Sequence, residues 1–376
     1  MPYLPKMKKA VYILLSLLLA VSGCSRHERI KGVYVRLQET EIRQRYGGEM
    51  GALADEIKAA GINLVVTPVL EDGTAFYPSD VLPQRWEYGT QLLAFRHELR
   101  RRNIRFAARV PVFSDAYTYR TRPDLRAVND FGSKTEPPDQ HAVCPRDPDY
   151  QDYKLEAIRE ILLILQPDVL YLNALSFPLD PEGYCDFQAA AAMRPYCFCS
   201  ACRRDFSEQH DLVLPENLST GEAASRILND HKEAWTQWKC AIITDYVKAL
   251  EQSVAGISPD CRIMLETPPW KETEFDDGRS RLAGHDLNAL EDPVDYFVFP
   301  PCSGSGSHEH QRLSEISTEI QKGEHSFIPS ININAGNKDR KAFSEYLAYF
   351  KNNIIIYGWT SLIGEKTYLN IFSTEF

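Results

Sequence analysis

A chain of 376 residues that is 44% hydrophobic and 11% aromatic holds enough apolar material for a large core, so it predicts a soluble globular body and excludes a disordered one. Its formal net charge of -10, from 42 Lys and Arg against 52 Asp and Glu, excludes the basic face that nucleic-acid partners require. The basic cluster HELRRR, His97 to Arg102, reads as the solvated end of a helix.

At the start of the chain, Lys6, Lys8 and Lys9 precede the apolar run AVYILLSLLLAV. The run is too short to span a bilayer but suits the hydrophobic region of a signal peptide. Val21, Ser22, Gly23 and Cys24 follow, and this stretch resembles the lipobox of bacterial lipoproteins. The resemblance implies a signal peptide over 1–23, lipidation of Cys24, a short linker over 24–30 and one domain over 31–376. That domain would be exported, tethered to a membrane by the lipid and facing the periplasm or the cell exterior. An uncleaved N-terminal anchor is the alternative.

Beyond the linker, short β-branched or aromatic runs alternate with helix-period segments. KGVYVRL from Lys31, INLVVTPV from Ile62, IRFAARVPVF from Ile104 and DVLYLNAL from Asp168 read as strands. RIMLET from Arg262, DYFVFP from Asp295, SFIPSININ from Ser326 and NIIIYGW from Asn353 complete eight. Between them, MGALADEIKAAG places Leu53, Ile57 and Ala60 on one face before Gly61, and YGTQLLAFRHELRRR, YKLEAIREILLIL, HKEAWTQWKCAIITDYVKALEQSV and RKAFSEYLAYFKN show the same period. Strands apolar on both faces and separated by helices predict parallel pairing, and eight such units predict an α/β fold, a (β/α)8 TIM barrel. A doubly wound open sheet is the runner-up, but no Gly-rich phosphate turn follows the first strand, and no organic cofactor is expected. Long loops are expected after strand 3, from Ser114 to Asp149, and after strand 4, from Ser176 to Ser225.

Active sites of such barrels form at the C-terminal strand ends. Arg36, Glu39, Glu71, Asp72, Asp115, Asn173, Glu266, Asn332 and Asn334 are expected there, with Tyr77, Tyr117, Trp270 and Trp359 as aromatic platforms. Carboxylates beside aromatics suit a sugar, whose apolar ring face stacks while two acids do the chemistry. Glu266 is the leading candidate, because it ends strand 5 and precedes the stiff turn TPPW.

GTAFYPSDVLP after strand 2, CPRDPDYQDYKLEAIREIL before strand 4, YCFCSACRRDF after it and DLNALEDPVDYFVF around strand 6 together resemble the bacterial hypothetical glycosyl hydrolases, a group of TIM-barrel families. The resemblance implies a glycoside hydrolase acting on an extracellular or periplasmic polysaccharide, with Glu266 as acid/base. In those families strand 4 ends in a pattern such as LDFIRYP, whose Asp is catalytic. Here the matching stretch is DVLYLNALSFP, with Asn173 at the Asp position and Ser176 at the Arg position. An amide neither attacks carbon nor takes a proton at neutral pH, so Asn173 is expected to orient the sugar, and Asp180 or Asp186 from the following loop, the weaker candidates Asp72 and Asp115, or the substrate's own acetamido group to supply the second function. The alternative is a non-catalytic carbohydrate-binding lipoprotein on the same barrel.

Cys197, Cys199 and Cys202 form C-x-C-x-x-C, and three thiolates in one turn suit a tetrahedral zinc whose fourth ligand is Cys144 or Cys185. Export favours disulfides instead, so both readings stand. The cluster is similar to that of family-42 β-galactosidases, in which a Cys upstream of strand 4 joins the triplet; this implies Cys144 and a structural Zn2+.

Overall fold

The computed structural model describes residues 29–134, 141–179, 190–215, 217–300, 309–320, 326–333, 340–350 and 353–364. The signal peptide, Cys24, Asp180, Cys185, Asp186 and Asn334 lie outside the described residues. Strands β1 (Ile30–Tyr34), β2 (Leu64–Pro68), β3 (Arg105–Pro111), β4 (Val169–Asn173), β5 (Arg262–Glu266) and β6 (Tyr296–Val298) pair in parallel with their successors. β7 comes in two parts, Ser326–Ile328 and Ser330–Asn332, and β8 is Asn353–Tyr357. The first part of β7 pairs with β6, the second with β8, and β8 with β1. Pairing therefore runs round the whole ring and is interrupted at Pro329, which has no N–H to give. The α/β barrel expected from the sequence is the fold, and the open doubly wound sheet is not.

Four strands are locked in register by the same device. Asn63, Asp168, Asp295 and Asn353 stand at the N-terminal ends of β2, β4, β6 and β8, and each accepts a backbone N–H from the neighbouring odd-numbered strand. The distances are 2.9 Å from Lys31, 2.8 Å from Phe106, 2.8 Å from Ile263 and 2.9 Å from Ile30. A one-residue slip would break these bonds and turn every inward side chain outward.

The barrel interior is packed by Ile30, Leu64, Val66, Ala107, Val169, Tyr171, Met264, Tyr296, Val298, Ile328, Ile355 and Tyr357. Gly32 belongs to this face, where a Cβ would come 2.8 Å from Ile355 Cγ1. A larger side chain there would have to displace the opposing isoleucine.

Outside the barrel wall lie α1 (Thr40–Tyr46), α2 (Met50–Ala59), α3 (Trp86–Arg101), α4 (Ala116–Thr121) and α5 (Pro148–Leu165). After β4 come α6 (Ser200–Gln209), α7 (Thr220–Asp230) and α8 (Lys232–Ile257), followed by α9 (Leu287–Leu290), α10 (Glu309–Ile320), α11 (Arg340–Tyr349) and the short α12 (Trp359–Gly364). Leu53, Ile57 and Ala60 are buried as the period of α2 predicts, and Gly61 ends the turn at φ 75°. Among the described residues no helix is long and apolar enough to cross a membrane.

The loops after β4 and β5 are tied to each other. Phe177 N–H donates to Ala283 O at 2.9 Å. His285, fully buried, links Leu175 O at 2.8 Å through Nε2 to Thr267 Oγ1 at 3.0 Å through Nδ1. A carbonyl only accepts, so Nε2 carries the proton and Nδ1 takes the threonine hydroxyl. Burial holds this imidazole down at about 4. The clamp joins the residue after Glu266 to a residue two past Asn173, and so fixes the two strand tips relative to each other.

Candidate active site

Inward positions of a strand alternate. Tyr34, Arg109, Tyr171, Glu266 and Tyr357 therefore converge at the C-terminal end of the barrel, with Asn173 one inward step above Tyr171. Tyr171 Oη donates to Glu266 Oε2 at 2.9 Å and meets Tyr357 Oη at 3.2 Å, while Tyr357 stacks on Tyr34 with ring centroids 4.5 Å apart. Arg109 Nη2 lies 3.5 Å from Glu266 Oε2. Its guanidinium stands 5.9 Å from the Tyr34 ring centre and 5.7 Å from that of Tyr171, within cation–π range. With its amide in the orientation that satisfies both ends, Asn173 accepts from Arg109 Nη2 at 3.1 Å and donates to Val110 O at 3.2 Å.

Burial opposes the charge of Arg109, but Glu266 and the three tyrosine oxygens outweigh it and hold the guanidinium above its usual range. Burial, Glu266 and Tyr357 push the Tyr171 hydroxyl far up, so it remains a donor. A cation and a hydroxyl thus both complement a negative charge on Glu266, whose side chain is only 8% exposed.

On the β1–β2 side of the mouth, Arg36 Nη2 pairs with Glu71 at 2.5 Å. Glu39 is partly buried, and burial raises its carboxyl despite the opposing pull of Arg36. β1 is four strands from β5 in either direction round the ring, so Glu39 and Glu266 belong to opposite sides of the barrel.

Several residues expected at the mouth are placed elsewhere. Asp115 is fully buried outside the barrel wall, where it caps α4 through Thr118 N–H at 2.8 Å, pairs with Lys154 Nζ at 2.9 Å and accepts from Tyr150 Oη at 3.2 Å. It has no access for substrate. Asp72 is a turn residue: with Gly73 it forms the tip of the hairpin of Leu70–Glu71 and Thr74–Ala75, both at positive φ, and its half-exposed carboxylate faces Arg85 at 3.5 Å. Tyr77, Trp270 and Trp359 are 2%, 1% and 1% exposed and serve as packing rather than platforms. Trp270 lies against Phe275, and Trp359 Nε1 donates to Tyr46 Oη at 3.2 Å. Tyr117 is exposed, on α4 outside the barrel wall. Asn332 ends the second part of β7, half-buried and in register with Tyr357.

Sequence reasoning passed over Arg109, Tyr171, Tyr34 and Tyr357. Their signal was register: a lone arginine at an inward position of the otherwise apolar FAARVP, and tyrosines at inward positions of three other strands.

The four cysteines Cys144, Cys197, Cys199 and Cys202 come together, with every pair of sulfurs within 4.8 Å. Cys144 Sγ lies 3.3 Å from that of Cys202 and 3.7 Å from that of Cys199, too far for a disulfide, and all four are free thiols. A tetrahedron of about 2.3 Å Zn–S bonds separates its sulfurs by about 3.8 Å, so the set fits a metal ion. Around it, Arg146 grips Asp205 at 2.6 and 2.8 Å, and Trp238 Nε1 donates to the same carboxylate at 3.0 Å. This supports the loop that carries the triplet.

No family model and no curated protein matches the chain. Solved structures do. The PgaB (BpsB) glycoside hydrolase domain from Bordetella bronchiseptica is 14% identical at a TM-score of 0.66, over 92% of this chain and 98% of that one. The catalytic domain of β-amylase from Paenibacillus polymyxa is 10% identical at 0.58, over 88% and 92%. The α-L-fucosidase isoenzyme 2 from Paenibacillus thiaminolyticus is 13% identical at 0.63 over 92% of this chain, which spans about half of that protein, 49%. The likeness is one of fold: the chain shares an α/β barrel with these domains.

Proposed function

We propose that the barrel mouth binds a saccharide and hydrolyses a glycosidic bond in an extracellular or periplasmic polysaccharide. The observation that carries this is Glu266, a carboxylate directed into the mouth from a strand tip and held there by Tyr171 and Arg109. Both partners complement its charge, so it acts first as base or nucleophile. A proton donor must then come from elsewhere. Glu39 fits that role, because burial favours its protonated form and it sits across the ring. Asn173, already bonded to Arg109, orients the sugar through its amide rather than by proton transfer.

The second reading is a barrel that binds glycan without cleaving it. It is favoured by the amide at position 173, where the families this chain resembles carry an acid. Turnover of a polysaccharide panel by wild type, Glu266→Gln, Glu39→Gln and Asn173→Asp separates the two. Hydrolysis lost in Glu266→Gln supports the enzyme; binding without turnover in wild type, with turnover gained in Asn173→Asp, supports the retired enzyme.

The four thiolates are proposed to hold a structural Zn2+, which would staple the loop after β4 and, with four protein ligands, leave no place for a catalytic water. One equivalent of zinc by elemental analysis is the expected result; less than half an equivalent overturns it. Export and tethering through a lipid on Cys24 complete the reading, and mass spectrometry of the mature N-terminus from cells tests them.

A further inference from the structure

Between the loops that follow β2 and β3, outside the barrel wall, lies a groove of about 470 Å3. That is within the range of about 300–1,000 Å3 that holds small ligands. It is lined by the buried Leu82 and Leu125, by Tyr117 and Tyr153, and by Arg122 and Asp149. Tyr117 is 42% exposed, so part of its side chain is open to a ligand. Tyr153 Oη is held above its usual range by burial, by Asp115 and by Tyr117, which places the two tyrosines within electrostatic reach of each other.

The groove is rigidly built and close to the mouth. Beneath it lies the buried Asp115–Lys154 pair, and a Cβ on Gly73 would strike Asp115 Oδ1 at 2.0 Å, so the β2 hairpin rests directly on this base. Tyr117 N–H donates to Asp72 O at 3.1 Å. The preceding residue, Glu71, pairs with Arg36 at the mouth. One short hairpin therefore separates the groove from the candidate active site.

We propose that this groove is a second saccharide-binding site, which holds a neutral pyranose unit of a glycan whose further units enter the barrel mouth. The proposal rests on reading the mouth as a carbohydrate site. Two tyrosines beside apolar Leu82 and Leu125 in one lining suit the C–H faces of a sugar ring. The rim offers Arg122 as donor and Asp149 as acceptor for ring hydroxyls, and Arg122 is already paired with Asp124 at 2.8 Å, so there is no surplus cation to select an acidic sugar. Ordered backbone groups nearby are engaged: Thr118 N–H with Asp115, Tyr117 N–H with Asp72. They do not present the row of free amides that an added peptide strand would need.

Calorimetric titration of the full chain with neutral hexaoses of glucose, xylose, mannose and N-acetylglucosamine, with their disaccharides and with a hexauronate, tests the assignment. Wild type is expected to bind at least one neutral hexaose. Tyr117→Ala is expected to weaken that hexaose about five- to tenfold, with Tyr117→Phe close to wild type and the disaccharide, too short to span both sites, unaffected. Tyr153→Ala repeats the loss, with near-ultraviolet circular dichroism confirming the fold. Equal hexaose affinity in wild type, Tyr117→Ala and Tyr153→Ala overturns the groove while leaving the mouth intact. If Tyr117→Ala weakens only the hexauronate, the neutral assignment is overturned. Absence of binding of any hexaose to wild type overturns both the groove and the reading of the mouth.

Discussion

Among the described residues, two largely buried clusters each join a carboxylate, a cation and a tyrosine hydroxyl; a third such set, Glu56 with Arg45 and Tyr46, is exposed. At the mouth, Glu266 meets Arg109 and the hydroxyl of Tyr171. Outside the wall, Asp115 meets Lys154 and the hydroxyl of Tyr150. The chemistry is alike, and position separates them. Glu266 retains a little exposure at an inward strand tip, whereas Asp115 and Lys154 have none and are tied to a helix N-terminus and the underside of a hairpin. A buried carboxylate with a cation and a tyrosine beside it is therefore a functional candidate only when one side of it faces open space. Closed on all sides, the same group organises loops.

Substitutions that break one cluster should leave the other standing. Lys154→Met strands the Asp115 carboxylate without water or counter-charge, and the expected loss is about 3–5 kcal/mol of stability, measured by urea unfolding. Glu266→Gln is expected to lower glycoside turnover by about 10²–10⁴-fold while costing less than about 2 kcal/mol of stability, because Asn173 and the rings of Tyr34 and Tyr171 still attend Arg109. If Lys154→Met proves as stable as wild type and Glu266→Gln unfolds, the two roles are reversed.

Acid sharpens the contrast. Burial alone would raise the Asp115 carboxyl, but Lys154, the Thr118 amide and Tyr150 together bring it below the usual range. Its stabilisation is thus present above the unfolded value near 3.9 and lost as pH falls through the lower folded value. His285 acts in a higher window. Its folded value, about 4, lies below the unfolded 6.5, so the stability it supports is full above pH 6.5 and declines as pH falls toward 4. The decline amounts to about 3 kcal/mol by linkage. Chemical unfolding from pH 7 down to about pH 2 should show both steps, with the upper one absent in His285→Gln. The smallest effect is expected from Tyr171→Phe, which removes one hydrogen bond to Glu266 and should reduce turnover about tenfold or less, with the thermal midpoint little changed.

All eight barrel strands were legible because a buried parallel strand is a short β-branched or aromatic run between helix-period segments, and nothing else in the chain repeats that way. The four-cysteine set was legible for a similar reason: metal-ligand spacing is local, and only the upstream Cys144 needed an outside likeness. Polar α6, with SACRRDFSEQ, and α10, beyond the Gly- and Ser-rich stretch, passed unrecognised because few apolar residues mark their buried faces, Cys202 and Phe206 in the one and Leu313 and Ile316 in the other. The mouth was half legible. Glu266 was named from its place at a strand end, but Arg109 was not, since an arginine in a strand reads as an edge or solvent position until inward register is known.

Loop residues were the least legible. Tyr77 and Trp270, in loops, and Trp359, at the first position of α12, carry the side chains that a sugar platform needs, yet neither a loop nor a helix start has periodicity to say which way a ring turns, and all three turned inward. The sequence by itself determined the barrel and the local triplet Cys197, Cys199 and Cys202, because both follow from local pattern; the register device of Asn and Asp at the strand starts and the arrival of Cys144 beside the triplet came with the structure, because each joins segments distant in the chain. Only the tertiary structure decided which carboxylate faces open space. Exposure is a property of how distant segments close over one another: the hairpin settled on Asp115 and left Glu266 at the mouth of the barrel.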